Sequence, residues 1–129
     1  MDALMIIEDD NSMYERITSC IPKIEIPIMR AINRIEALKL SKQYSAQAFW
    51  IVDGIFPRYP DSRSVDVLWP GFVRHLQYSQ EDEKLHIVWL TSDVSIFTGL
   101  NIPVFPKDYL EDSMEKISSL IQQAHNAIR

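Results

Sequence analysis

The sequence contains little glycine and almost no cysteine. There are 3 glycines and 1 cysteine among its 129 residues. The single cysteine, Cys20, cannot form a disulfide within the chain, and we therefore expect a reducing, cytoplasmic compartment. Because glycine is scarce, several tight turns must be built from Asn, Asp or Ser.

Basic residues and long apolar runs are scarce as well. The chain has 13 basic and 18 acidic residues, a net charge of −5, which disfavours a nucleic-acid partner. The early acids Asp2 and Glu8 argue against a secretory leader. Apolar runs of a handful of residues fall far short of the roughly 20 that a transmembrane helix needs. We expect no membrane association.

The rest of the composition is that of an ordinary folded domain. Hydrophobic residues make up 47% of the chain and charged residues 24%, which excludes a mainly disordered protein. A length of 129 residues corresponds to about one domain, and we predict a single domain over residues 1–129.

Short apolar runs alternate with helical patterns along the whole chain. Wholly apolar runs at residues 3–7 and 49–52 are typical of strands buried in the middle of a parallel sheet, and a third strand is predicted at 85–90. A strand is also predicted at 24–28, where Pro27 indicates an edge position, and a very short one at 103–105. The alternation predicts an α/β fold, with a parallel sheet covered by helices on both faces.

Polar residues mark where the first two helices begin. We expect the first helix to start at Asn11 or Ser12 and to bury Cys20 on its apolar face. Asn33 is the predicted cap of the second helix.

The last helix carries the clearest apolar stripe. Asp108 and Glu111 predict a capping box at its start. The stripe consists of Leu110, Met114, Ile117, Ile121, Ala124 and Ile128. Residues 57–69, with two prolines and four charges, are predicted to form a loop.

Reactive side chains follow the predicted central strands. In open parallel sheets, ligands bind beyond the carboxyl ends of the strands. The residues found there are Glu8, Asp9, Asp10, Asp53, Thr91 and Lys107. Clustered carboxylates repel each other unless a hard cation such as Mg²⁺ lies among them. A carboxylate beside Mg²⁺ can attack phosphorus, and a lysine and a hydroxyl can bind the phosphoryl oxygens. The sequence therefore predicts an acidic Mg²⁺ pocket, with Asp10 outside it.

In these motifs and their order, the chain resembles the receiver domains of two-component response regulators over nearly all of its length. The matching segments are Met5-Ile6-Ile7-Glu8-Asp9-Asp10, Ala31-Ile32-Asn33-Arg34-Ile35-Glu36-Ala37-Leu38, Ile51-Val52-Asp53-Gly54-Ile55-Phe56-Pro57, Val88-Trp89-Leu90-Thr91-Ser92 and Lys107. The resemblance implies a flavodoxin-like three-layer α/β/α fold, whose central parallel five-stranded sheet has the strand order 2-1-3-4-5.

The resemblance also implies a role for each site residue. Asp53 would be the phosphoacceptor, and Glu8 and Asp9 would bind Mg²⁺ together with Asp53. Thr91 would be the switch hydroxyl and Lys107 the phosphate-binding lysine. The implied function is that of a phosphorelay receiver and not of an enzyme, beyond Mg²⁺-dependent self-phosphorylation and autodephosphorylation. Its phosphodonor would be a histidine kinase or phosphotransfer protein.

The chain departs from the family pattern near its end, which leaves other functions open. Asp108 follows Lys107 where the family usually has proline, and Val104 takes the place of the aromatic switch residue, with Phe105 on the opposite face. These departures favour a pseudo-receiver, a protein-interaction module that works without phosphorylation, as the alternative to the receiver. The complete set of Glu8, Asp9, Asp53, Thr91 and Lys107 argues against it. A phosphatase of the haloacid-dehalogenase type is disfavoured, because Ile51 stands where its nucleophile would be. We expect no effector domain after the last helix, and therefore a stand-alone receiver that docks to a downstream protein.

Overall fold

The computed structural model describes residues 3–43, 48–53, 55–57, 65–67, 86–92 and 103–127. The strands are β1 (Ala3–Ile7), β2 (Ile28–Ala31), β3 (Ala48–Val52), β4 (Ile55–Pro57), β5 (Val65–Val67), β6 (His86–Thr91) and β7 (Val104–Pro106). The helices within these ranges are α1 (Asn11–Ser19), α2 (Arg34–Gln43) and α3 (Leu110–Ala127), with a short 3-10 helix, Lys107–Tyr109, leading into α3.

A parallel sheet in the order β2-β1-β3-β6-β7 forms the centre of the fold. When the five strands of this sheet are numbered by themselves in chain order, the order is 2-1-3-4-5, as predicted. The predicted edge position of the second strand is also confirmed, but the strand begins at Ile28 and not at residue 24. Pro27 lacks an N–H group, and its carbonyl accepts a hydrogen bond from Leu4 directly before the pairing starts.

Alternation along the strands divides the core into two layers. One layer, which includes Met5, Trp50 and Trp89, packs with Ala37 of α2. The opposite layer packs against Ile17 of α1 and against the apolar stripe of α3. The stripe residues Leu110, Met114, Ile117, Ile121 and Ala124 are all buried, as predicted. The chain therefore has the flavodoxin-like three-layer α/β/α fold, with helices on both faces of the sheet.

Side-chain caps set the starts of α1 and α2. The cap of α1 is Asp10, whose Oδ1 accepts a hydrogen bond from the Met13 amide at 2.9 Å, so the prediction of Asn11 or Ser12 was one or two residues late. Asn33 was predicted correctly. Its Oδ1 accepts from the Glu36 amide at 3.0 Å, and its Nδ2 donates to Glu36 Oε2 at 3.1 Å.

Two details of the helix predictions were wrong. Cys20 is exposed and not part of the core, because α1 ends at Ser19 and Cys20 is the residue that follows its last turn. Asp108 and Glu111 do not form a capping box at α3, since the 3-10 helix continues directly into it and has no side-chain cap. The Ser113 hydroxyl instead donates to the carbonyl of Pro106 at 2.7 Å.

The segment predicted as a loop at 57–69 contains strand structure. β4 and β5 pair in an antiparallel manner, with Phe56 opposite Asp66. The prolines and charges obscured two short runs rich in β-branched and aromatic residues that favour pairing. Residues 58–64, 68 and 69 of the predicted loop lie outside the described residues.

Candidate functional site

Glu8 and Asp53 are placed side by side by the pairing of the two central strands. Each follows its strand directly, and β1 and β3 are parallel neighbours. The Asp53 amide donates to the Ile7 carbonyl at 2.9 Å, and the Glu8 amide donates to the Ala31 carbonyl at 3.1 Å. Both carboxylates therefore start from backbone that is held by the sheet, and both are buried.

Lys107 joins these two carboxylates. Its Nζ lies 2.7 Å from Glu8 Oε1 and 3.1 Å from Asp53 Oδ2. The side chains of Glu8, Asp53 and Lys107 are 1%, 8% and 14% exposed, so this is a largely buried ion-pair network. Lys107 reaches it because it follows β7 at the same edge of the sheet. The departure at Asp108 does not displace the lysine from the acidic residues.

Burial sets the protonation behaviour of this network. It disfavours the charged form of Glu8, and together with the nearby Asp53 charge it raises the pKa of Glu8 to about 6, against the opposing effect of Lys107. Burial also acts to lower the pKa of Lys107, but the charge of Asp53 and the interactions with Glu8 outweigh it and raise that pKa overall. Two carboxylates share one ammonium group, so the network carries excess negative charge when both are ionised.

Asp9 adds a third carboxylate at the exposed rim. One carboxylate oxygen each from Glu8, Asp9 and Asp53 lies within 4.8 Å of the others, a spacing that could hold a metal ion. Partial burial of the Asp9 carboxyl raises its pKa, and the Glu8 charge raises it further. Three carboxylates with one opposing lysine suit Mg²⁺, which binds carboxylate oxygens and keeps several waters. The donor set therefore fits the cation expected from the sequence.

The other residues singled out in the sequence lie outside the ion-pair network of Glu8, Asp53 and Lys107. Asp10 caps α1 and so has a structural role, in agreement with its exclusion from the site. Thr91 is buried at the carboxyl end of β6, between β3 and β7. Val104 and Phe105 pack into opposite layers of the core, as expected from strand alternation. Thr91 thus lies at the site's edge of the sheet, and its role stays a prediction.

Sequence reasoning missed Arg30 on the edge strand. Its Nε donates to the backbone carbonyl of Glu8 at 3.0 Å, and its guanidinium lies over the Tyr14 ring, 4.4 Å from the centroid. The available signal was an arginine within the otherwise apolar run Ile28-Met29-Arg30-Ala31. A charged residue in such a strand needs a partner, and the strand register decides which one.

The fold is shared with a solved structure of a signalling protein. The chain is similar to a two component transcriptional regulator AraC from Clostridium phytofermentans ISDg, with a TM-score of 0.64 and 13% sequence identity. The similarity covers 100% of both chains. At this identity the likeness shows the fold and not the activity.

Other comparisons give no match. The chain matches no protein-family model, and no curated protein matches it significantly.

Among the described helices, none combines the length and the apolar character that crossing a bilayer requires.

Proposed function

We propose that the protein is a phosphoacceptor receiver of a two-component phosphorelay, with Asp53 as the acceptor. The observation that carries the proposal is the position of Lys107 Nζ between Glu8 and Asp53, beside a third carboxylate from Asp9. Carboxylates for a cation and an ammonium group for phosphoryl oxygens are the parts that phosphoryl transfer to a carboxylate needs. The shared fold with a two-component regulator supports the same function.

The proposed reaction is an exchange of one phosphorus bond for another. A carboxylate oxygen of Asp53 attacks the phosphorus of a phosphohistidine on a histidine kinase or phosphotransfer protein. The bond between phosphorus and the donor nitrogen breaks, the nitrogen keeps the electron pair, and Asp53 becomes an acyl phosphate. We expect no other enzymatic activity beyond loss of this phosphoryl group to water.

Each neighbouring side chain has a distinct task in this proposal. Glu8 and Asp9 would hold Mg²⁺ together with Asp53, and the bound ion would supply positive charge against the incoming phosphoryl oxygens. Lys107 already lies 3.1 Å from Asp53 Oδ2 and donates to a phosphoryl oxygen once that carboxylate is phosphorylated. The Thr91 hydroxyl is the second proposed donor. A phosphoryl group adds up to about two negative charges, which a downstream protein partner would recognise.

A pseudo-receiver is the second candidate, and one feature of the strand that leads to Lys107 favours it. Val104, which stands in place of the aromatic switch residue, packs against the core, so the relay that would follow phosphorylation lacks this part. In that case the fold would serve only as a protein-interaction module. The two candidates differ in whether a small phosphodonor modifies Asp53.

Magnesium binding should depend on the three clustered carboxylates. We expect Asp9→Asn and Asp53→Asn each to weaken Mg²⁺ affinity by about tenfold or more, because each removes a charged oxygen ligand. Isothermal titration in low-salt buffer measures this. Asp112→Asn, which neutralises an exposed carboxylate in the first turn of α3, is the matched control and should bind Mg²⁺ like the unmodified protein. Equal affinity in all four proteins would exclude the proposed Mg²⁺ pocket.

A further inference from the structure

Arg30 is held in place by two contacts on the α1 side of the sheet. Its Nε donates to the Glu8 carbonyl at 3.0 Å, and the Tyr14 ring of α1 covers its guanidinium at 4.4 Å. Its Nη2 is buried and has no hydrogen-bond partner in the described part of the chain. Arg30 as a whole is half-buried, so only part of its charged group is withdrawn from water.

The carbonyl that Arg30 contacts belongs to the peptide group between Glu8 and Asp9. A peptide group is planar, so fixing its oxygen also fixes the direction in which the chain enters Asp9. On the other side of Glu8, its amide donates to the Ala31 carbonyl at 3.1 Å. Neighbouring residues of β2 therefore fix both peptide groups that flank Glu8.

Asp9 is exposed and belongs neither to β1 nor to α1. The next residue, Asp10, is held by its capping bond to Met13 and by a 3.5 Å bond from its amide to Glu8 Oε2. The acidic turn is thus anchored by Arg30 at one end and by the helix cap at the other. A hydrogen bond from a charged donor is stronger than one between neutral groups. Arg30 therefore holds the Glu8 carbonyl more strongly than a neutral donor would.

We propose that Arg30, held against Tyr14, is a positioning residue that aligns the Glu8 and Asp9 carboxylates on one cation. The inference rests on the proposed Mg²⁺ site and extends it to the edge strand. Arg30 does not touch the ion. It fixes the Glu8–Asp9 peptide plane before the cation binds, so Asp9 loses less conformational entropy on binding.

Magnesium titration of Arg30 variants tests the proposal. We expect Arg30→Met to weaken Mg²⁺ affinity about tenfold, as the loss of an outer-shell partner typically does. Arg30→Lys keeps a charged donor and should restore most of the affinity. Arg16→Met removes the same charge from an exposed position on α1 and should leave affinity unchanged. All titrations are done on protein shown to be folded by circular dichroism, so a purely stabilising role would not change the measured affinity.

The amide resonance of Asp9 in magnesium-free protein gives a second readout. Loss of the Arg30 bond to the Glu8 carbonyl should shift this resonance in Arg30→Met, and much less in Arg30→Lys. Wild-type affinity in Arg30→Met, or an equal loss in Arg16→Met, would overturn the positioning role while leaving the proposed function standing. If the unmodified protein itself binds no Mg²⁺, the proposed function and the positioning role both fail. An Asp9 resonance unchanged in Arg30→Met would overturn the positioning role alone.

Discussion

Replacing Lys107 with methionine should lower the free energy of unfolding by about 3 kcal/mol near neutral pH. Removing one partner of a buried ion pair leaves an uncompensated charge, and such losses run to roughly 3–5 kcal/mol. Here two carboxylates lose their shared cation, since Lys107 Nζ contacts Glu8 at 2.7 Å and Asp53 at 3.1 Å. Urea denaturation, followed by circular dichroism, measures the difference.

The loss in the Lys107→Met variant should shrink as the pH falls through the pKa of Glu8. That pKa is already raised to about 6, chiefly by burial, and the variant removes the lysine contacts that oppose the rise. When the pKa of an acid is higher in the folded state than in the unfolded state, protonation of that acid raises the free energy of unfolding. The variant has the higher Glu8 pKa, so its free energy of unfolding rises more than that of the unmodified protein as Glu8 becomes protonated. Lys116→Met removes an exposed lysine of α3 and should change stability by less than about 0.5 kcal/mol. Equal effects of the two substitutions would mean that the Lys107 network contributes nothing.

Incubation with acetyl phosphate and Mg²⁺ should add one phosphoryl group to the protein. The nucleophile is the Asp53 carboxylate, which lies beside the positive charge of Lys107 and, in our proposal, of the bound cation. Asp53→Asn should abolish the modification, because the amide cannot form the acyl phosphate. Intact-mass spectrometry measures the addition, and treatment with hydroxylamine should remove it.

Two controls decide between the receiver and the pseudo-receiver. Asp112→Asn should be labelled like the unmodified protein, and chelation of Mg²⁺ should prevent labelling in both. If the unmodified protein stays unlabelled under conditions that modify an ordinary receiver, the pseudo-receiver becomes the better description. Labelling that persists in Asp53→Asn would place the acceptor elsewhere.

The fold was predictable because its central strands are apolar on both faces. The runs at 3–7 and 49–52 have no polar residue to expose, and together with the helical patterns between them they indicate strands of a parallel sheet covered on both faces. The site residues were predictable as strand-end positions for a related reason, since parallel strands bring their carboxyl ends to one edge. The sequence of β1 thus indicated both the strand and the place where Glu8 and Asp9 would lie.

Contacts between distant parts of the chain could not be predicted in the same way. The bond from Arg30 to the Glu8 carbonyl depends on the register between β2 and β1, and a shift of one residue would turn Arg30 to the other face. The pairing of β4 with β5 depends on which residues of the two strands lie opposite each other, and the composition of the segment does not indicate this. The single domain over residues 1–129, the role of Thr91 and the identity of the partners stay predictions.

Locating the modified residue tests the central claim most directly. Phosphorylated protein is treated with borohydride, which reduces an acyl phosphate on aspartate to homoserine, and is then digested and sequenced by tandem mass spectrometry. We predict homoserine at position 53 alone, and only in samples that contained Mg²⁺. Homoserine at position 9 or 10 with Asp53 intact, or no homoserine in protein that Mg²⁺ and acetyl phosphate have saturated, would contradict Asp53 as the phosphoacceptor.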